Sequence, residues 1–144
     1  MANLPSKLPR NNQKLEIIFK NAAVPEIAAF TGEYFVDMLT IMPSVRIFNH
    51  TKKLYMQNSK LFGYNVVFGI KWGYFSIEEG VCEELGSAKT AVIDYSSRGN
   101  TFLTNKIIDY VRCVEDGNLY LGRFNYRVCG KPRFAGYFSL ERRK

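Results

Sequence analysis

The sequence predicts a mainly β protein, an antiparallel barrel behind one N-terminal helix, on three observations. Beyond Gly32 the apolar residues come in short stretches rich in Val, Ile, Tyr and Phe rather than at helical spacing. Turn residues separate those stretches at short intervals, most clearly at Asp116-Gly117. Glycines recur inside them, at 63, 69, 73, 122 and 136, where a helix would lose roughly 1 kcal/mol at each but a sheet can bulge and curl. With 144 residues, 47% of them hydrophobic and 15% aromatic, the chain can fill one core and is too short for two ordinary domains. The expected organisation is a flexible lead-in over residues 1–12 and a single domain over 13–144.

The lead-in holds Pro5 and Pro9 among asparagines and has no apolar periodicity. From Gln13 onward Leu15, Ile18 and Phe19 recur at helical spacing, and Pro25 stops the helix before a short second turn through Ile27 and Phe30. That stripe predicts a lid packing on a barrel end. Gly32 opens EYFVDMLTI, a strand ending at Pro43. From Ser44 to Lys60 the pattern is mixed. Val45, Phe48 and Tyr55 suit a helix, residues 46–48 and 53–56 suit strands, and a short helix capped by Ser44 is expected. Phe62 to Ile77 reads as two strands or one long bent strand, and Glu78, Glu79, Glu83 and Glu84 before Gly86 as a connecting turn. TAVIDYS, IIDYVRCV, NLYLGRFNYRV and RFAGYFSLER follow as a meander.

Asp116-Gly117 sets a register if it forms a two-residue turn with positive φ at both positions. Glu115 then faces Asn118, Val111 faces Gly122 and Asp109 faces Phe124. Asp109, Val111, Cys113, Tyr120, Gly122 and Phe124 share one face, and Tyr110, Arg112, Val114, Leu119, Leu121 and Arg123 the other. In the last strand Phe134, Gly136, Phe138 and Leu140 face the core. Continuity with the Tyr120/Phe124 face requires opposed residue numbers with an even sum, which selects a three-residue loop, Cys129-Gly130-Lys131.

The arrangement resembles the lipocalin-like, calycin-type barrels. The N-terminal helix, the Gly32-Glu33-Tyr34 opening of the first strand, Tyr120-Leu121-Gly122-Arg123 and Tyr137-Phe138-Ser139-Leu140-Glu141 carry the resemblance, over about residues 14–142. It is similar to small proteins with a GXWXG-like opening, although tyrosine stands at the tryptophan position and Val36 at the second glycine. The resemblance implies a barrel with an interior cavity and brings no catalytic residues.

Charge and composition narrow the function classes. Residues 1–20 carry Lys7, Arg10, Lys14 and Lys20 against Glu16, a net of +3; residues 122–144 carry a net of +6, and the middle −2, within an overall +7. Basic ends favour phosphates or an anionic membrane surface, or serve only as solvated charge. No apolar run is long enough to span a bilayer and no signal peptide is evident, so a cytoplasmic location is expected. Cys82, Cys113 and Cys129 lack ligand spacing and are expected to be reduced thiols, His50 in FNHTKK is expected to be solvated, and neither a metal nor a cofactor is expected. GxGxxG, P-loop and G-x-S-x-G patterns are absent.

A barrel of about eight strands either fills with side chains or holds one small molecule. Abundant Phe and Tyr would give such a molecule flat apolar walls, and the expected partner is an apolar small molecule. The candidate ligand-binding residues are Tyr34, Trp72, Tyr120, Phe124, Phe134, Phe138, Arg112 and Arg123, with glycines 122 and 136 expected to leave space beside the rings. By parity the interior takes either Asp109 or the Arg112/Arg123 pair but not both, and an exposed salt bridge among these charges is expected ahead of either. An inward Asp109 near Tyr95 or Tyr137 could act as a base, making Asp109 and Tyr137 the catalytic candidates of a cofactor-free cyclase or isomerase. Single-stranded nucleic-acid binding is the third reading, without an RNP-like motif to support it.

Overall fold

The computed structural model describes residues 8–40, 50–96 and 99–143. Helix α1 (Asn12–Asn21) begins where the Asn11 side chain accepts the Lys14 N–H at 3.0 Å, and it ends at Asn21, well before Pro25. Eight strands follow: β1 (Gly32–Met38), β2 (His50–Gln57), β3 (Lys60–Val67), β4 (Ile70–Cys82), β5 (Ala88–Asp94), β6 (Ile107–Glu115), β7 (Leu119–Val128) and β8 (Lys131–Arg142). Each pairs antiparallel with the next, and β8 returns to β1 through Tyr34 opposite Arg142 and Met38 opposite Phe138, closing the barrel. Among the described residues no strand is left with an unpaired edge.

Strand alternation divides the core in two. Inward side chains, among them Val36, Leu54, Phe75, Ile93, Val111, Tyr120, Phe138 and Leu140, form the barrel interior. The outward Tyr110, Leu121 and Tyr137 form a second cluster with Leu15 and Phe19 of α1. The helix therefore packs on the outer wall and is not a lid over a barrel end. That end is closed instead by the segment after it. Ala23 and Cys113 exchange backbone hydrogen bonds at 3.0 and 2.7 Å, and Phe30, directly after the turn Ile27–Ala29, packs against Tyr34 and Tyr120 with ring centroids 5.3 and 4.3 Å away. Arg142 ties this plug to the wall, donating to the carbonyls of Thr31, Ala29 and Gly117 and to the Tyr34 hydroxyl.

Several sequence expectations are corrected. Arg10 pairs with Asp37 at 2.8 Å and Leu8 packs against the outer cluster, so this stretch of the expected lead-in is held on the barrel. The first strand stops at Met38. A helix after Ser44 falls largely on residues outside the described ones, but from His50 onward the chain is strand. Phe62 to Ile77 contributes to two strands joined at Phe68-Gly69, the first of the two expected forms, whereas Glu78 and Glu79 belong to β4 and not to the turn, which keeps Glu83 and Glu84.

The two C-terminal hairpins exchange their expected turn types. At Asp116-Gly117 only Gly117 has positive φ, 70°; Glu115 pairs with Leu119, and an irregularity between Cys113 and Glu115 restores Val111 opposite Gly122 and Asp109 opposite Phe124. Cys129-Gly130 is the two-residue turn with positive φ at both positions, 53° and 78°, joining Val128 opposite Lys131. Its odd register becomes even at a bulge, where Asn125 opposes Phe134 but Phe124 opposes Gly136. The extra residue, Ala135, keeps Phe138 and Leu140 inside and turns Phe134 onto the outer face, where its ring lies 5.2 Å from that of Tyr137.

Candidate functional site

The antiparallel order sends the β3–β4, β5–β6 and β7–β8 connections to the end opposite the Phe30 plug. Just inside that end lies a pocket whose free volume is about 30 Å³, room for roughly two waters or the head of a larger molecule. Its walls are Trp72, Phe124, Phe138, Val36, Met38 and Ile107; its polar groups are His50, Lys52, Tyr95 and Asp109. Most come from strand positions whose neighbours two residues away also face inward, as Lys52 does with Leu54 and Asp109 with Val111; Tyr95 lies just beyond β5, and Trp72 lies at the irregularity between β3 and β4.

The polar floor is a buried network. Lys52 Nζ donates to Asn65 Oδ1 at 2.6 Å and to the Tyr95 hydroxyl at 2.7 Å, while Asn65 Nδ2 donates to that hydroxyl at 3.1 Å and to the Gly73 carbonyl at 3.2 Å. The ammonium also lies 5.1 Å from the Phe75 ring centroid and 5.8 Å from that of Phe138. Asp109 is 1% exposed, and its Oδ1 has no hydrogen-bond partner. Burial pushes its carboxyl up to about 7, against the charge of Lys52 and a backbone N–H of Asn125 that favour ionisation. Burial likewise brings Lys52 down to about 8, with Asp109 pulling the other way. The Tyr95 phenol is pushed well above its ordinary value by burial and by Asp109. A proton acceptor and a proton donor thus stand near neutrality in one apolar chamber.

The structure sorts the sequence candidates by location. Asp109, Trp72, Phe124 and Phe138 line the pocket. Tyr34 and Tyr120 are interior but packed with Phe30 in the plugged half, ring centroids 5.5 Å apart. Phe134 and Tyr137 lie on the outer wall, so Tyr137 is not beside Asp109; its hydroxyl accepts from Arg123 at 2.9 Å. Both arginines are also outside. Arg123 stacks over Phe134 at 4.1 Å and reaches Glu84, and Arg112 donates to the carbonyls of Phe19, Lys20, Ala22 and Lys89, holding the end of α1. Parity thus resolves in favour of the carboxylate. The expected space at Gly122 is taken up by the Phe138 ring.

Lys52, Asn65 and His50 were not among the sequence candidates. His50, expected in solvent, lines the pocket beside Trp72, ring centroids 5.9 Å apart. The available signal was His50-Lys52-Leu54, three alternate residues on one face, obscured by the helical spacing of Val45, Phe48 and Tyr55. Among the described residues no cluster of three or more His, Cys, Asp or Glu side chains is arranged to hold a metal. All three cysteines are free, with Cys82 and Cys113 buried and Cys129 exposed. No helix among the described residues is long and apolar enough to cross a membrane.

The closed eight-stranded antiparallel barrel with its N-terminal helix fits a calycin-like fold. A solved protein from Thermomonospora curvata has a similar structure, with a TM-score of 0.65 over 93% of this chain and 88% of its own, at 14% sequence identity. That likeness is one of fold alone. No protein-family model matches the chain. No curated protein matches it either.

Proposed function

We propose that the barrel binds a small, mainly apolar molecule at the end opposite the Phe30 plug, in the manner of a lipocalin-like carrier, and that the ligand presents a hydrogen-bond donor to Asp109. The observation carrying this reading is the buried Asp109 Oδ1, without a protein partner, among aromatic pocket walls. A buried acceptor left unsatisfied costs about 1–3 kcal/mol, so the position favours an occupant able to donate. A hydroxyl, amide or amine suits it. A ligand carboxylate would meet Asp109 as a like charge, with two of the Lys52 protons already directed to Asn65 and Tyr95. The free volume accepts the polar head, and the apolar remainder lies along Trp72 and Phe124 toward the mouth.

Trp72 is the sole tryptophan and lines the pocket, so its emission reports occupancy directly. Titration with straight-chain alcohols and the matching carboxylic acids is expected to shift Trp72 emission at lower concentration for the alcohols. The preference should vanish in Asp109→Leu. Emission unmoved by either series, together with native mass spectra that show no co-purified small molecule, would refute the reading.

The buried Asp109 and Lys52, displaced toward neutrality from opposite sides, favour a second reading, a cofactor-free isomerase or cyclase that moves a proton within the bound molecule. Asp109→Asn separates the two. A carrier keeps binding with altered selectivity, whereas an enzyme keeps binding and loses turnover.

A further inference from the structure

We propose that the end of the barrel opposite the Phe30 plug docks on an anionic membrane surface. The connections at this end carry exposed apolar side chains: Phe68 is 89% exposed, Phe102 70%, Ile70 67% and Leu103 58%. Three of them are held there by structure that does not itself benefit. Phe68 occupies the first central position of a two-residue turn at φ 50°, followed by Gly69 at 76°, where asparagine, aspartate or glycine is the low-strain residue. A phenylalanine there has the wrong backbone preference and gains no burial. Phe102 and Leu103 sit in a loop fixed to the wall by Asn100, which accepts from the Tyr74 N–H at 2.9 Å and donates to the carbonyls of Tyr74 and Tyr95 at 2.6 and 2.7 Å. An anchored loop that keeps a phenyl ring and a leucine in water implies a surface that covers them.

Charge selects the surface. Residues 66–71, 95–106 and 127–133 contain no Asp or Glu, while Lys71, Lys106, Lys131 and Arg133 stand exposed among or beside the apolar residues. The plugged end is the acidic one, with Glu83, Glu84, Glu115 and Asp116 at its turns. Apolar tips that enter the interface, ringed by cations that pair with lipid phosphate and serine headgroups, are the arrangement of a peripheral membrane contact. The pocket mouth then faces the phase in which an apolar ligand dissolves. The docking stands on the rim residues alone and does not depend on the identity of that ligand.

Cys129, the exposed cysteine, lies at this end, and Cys82 and Cys113 are buried, so an environment-sensitive fluorophore on Cys129 reads contact without further mutation. A control label at the plugged end uses Asp116→Cys with Cys129→Ser. Vesicles of phosphatidylcholine with phosphatidylserine are expected to blue-shift the Cys129 label and leave the Asp116→Cys label unchanged, and phosphatidylcholine alone to do so weakly. Phe68→Asn combined with Phe102→Ser should lower vesicle partitioning about tenfold or more. Lys71→Glu with Lys131→Glu should abolish the phosphatidylserine dependence, while Lys60→Glu at the opposite end should not. Because asparagine suits the turn better than phenylalanine, loss of docking in Phe68→Asn cannot be ascribed to misfolding. Equal response of both labels, no partitioning onto phosphatidylserine vesicles, or a short single-stranded oligonucleotide that binds the rim and is not displaced by such vesicles would each overturn the proposal.

Discussion

The ring of Phe138 occupies the space above Gly122, its partner on the neighbouring strand, so closely that a Cβ at residue 122 would collide with it. Aromatic wall and glycine are thus a single packing unit. Gly122→Ala should destabilise the protein by about 1–3 kcal/mol by overpacking, measured in denaturant melts. It should also weaken ligand uptake followed by Trp72 emission, because Phe138 is a pocket wall. An alanine variant as stable as the parent would show that the ring has another place to go.

Asp109 and Lys52 make stability depend on pH in opposite senses. Asp109 is raised from 3.8 to about 7, so between those values the folded protein holds a proton that the unfolded chain has released, and stability falls as pH rises through that window. Lys52 is lowered from 10.5 to about 8, so between about 8 and 10.5 the unfolded chain holds the extra proton and stability rises with pH. The pair therefore contributes a minimum between about 7 and 8. Asp109→Asn should remove the fall on the acid side, checked by isothermal denaturation across pH.

Arg112 joins α1 to the barrel through carbonyls at the end of the helix, which carry partial negative charge. Arg112→Met is expected to cost about 1–3 kcal/mol and to raise amide exchange selectively in residues 12–21. Lysine cannot span the same three carbonyls and should not rescue it.

Gly117, with φ at 70°, should not accept a β-branched residue; Gly117→Val is expected to destabilise by about 1 kcal/mol or more. Cys129→Asn, at φ 53° in a two-residue turn, should instead stabilise by a few tenths of a kcal/mol. Differential scanning of the two variants beside the parent reads both signs at once.

The meander, the N-terminal helix and the shared face of Asp109, Val111 and Cys113 were legible because alternation survives wherever one face is apolar, but alternation does not say whether that face or the Arg112/Arg123 face turns inward. Turn types were not, since Asp-Gly is the better local signal and Cys-Gly the turn that forms. Local preference there yields to the pairing of the long strands on either side, and the bulge at Ala135 then reconciles an odd turn with an even face. The same bulge misplaced Phe134. Half of the polar floor was hidden because lysine and asparagine carry no inward signal of their own; only their spacing from Leu54 and Gly63 does, and the mixed pattern before Lys60 masks it.

Because β1 pairs on one side with β2 and on the other with β8, the eighth strand closes the wall that the first begins. Until Lys131–Arg142 leaves the ribosome, the nascent chain exposes the free margins of β1 and β7, each able to capture a strand from another molecule. Arg142, whose guanidinium also secures the Phe30 segment, makes that final step double: one residue completes the cylinder and fastens its stopper. A chain stopped short of β8 would consequently meet the cell as an open, sticky half-product, and the protection of this barrel during its synthesis depends on the twelve residues Lys131–Arg142.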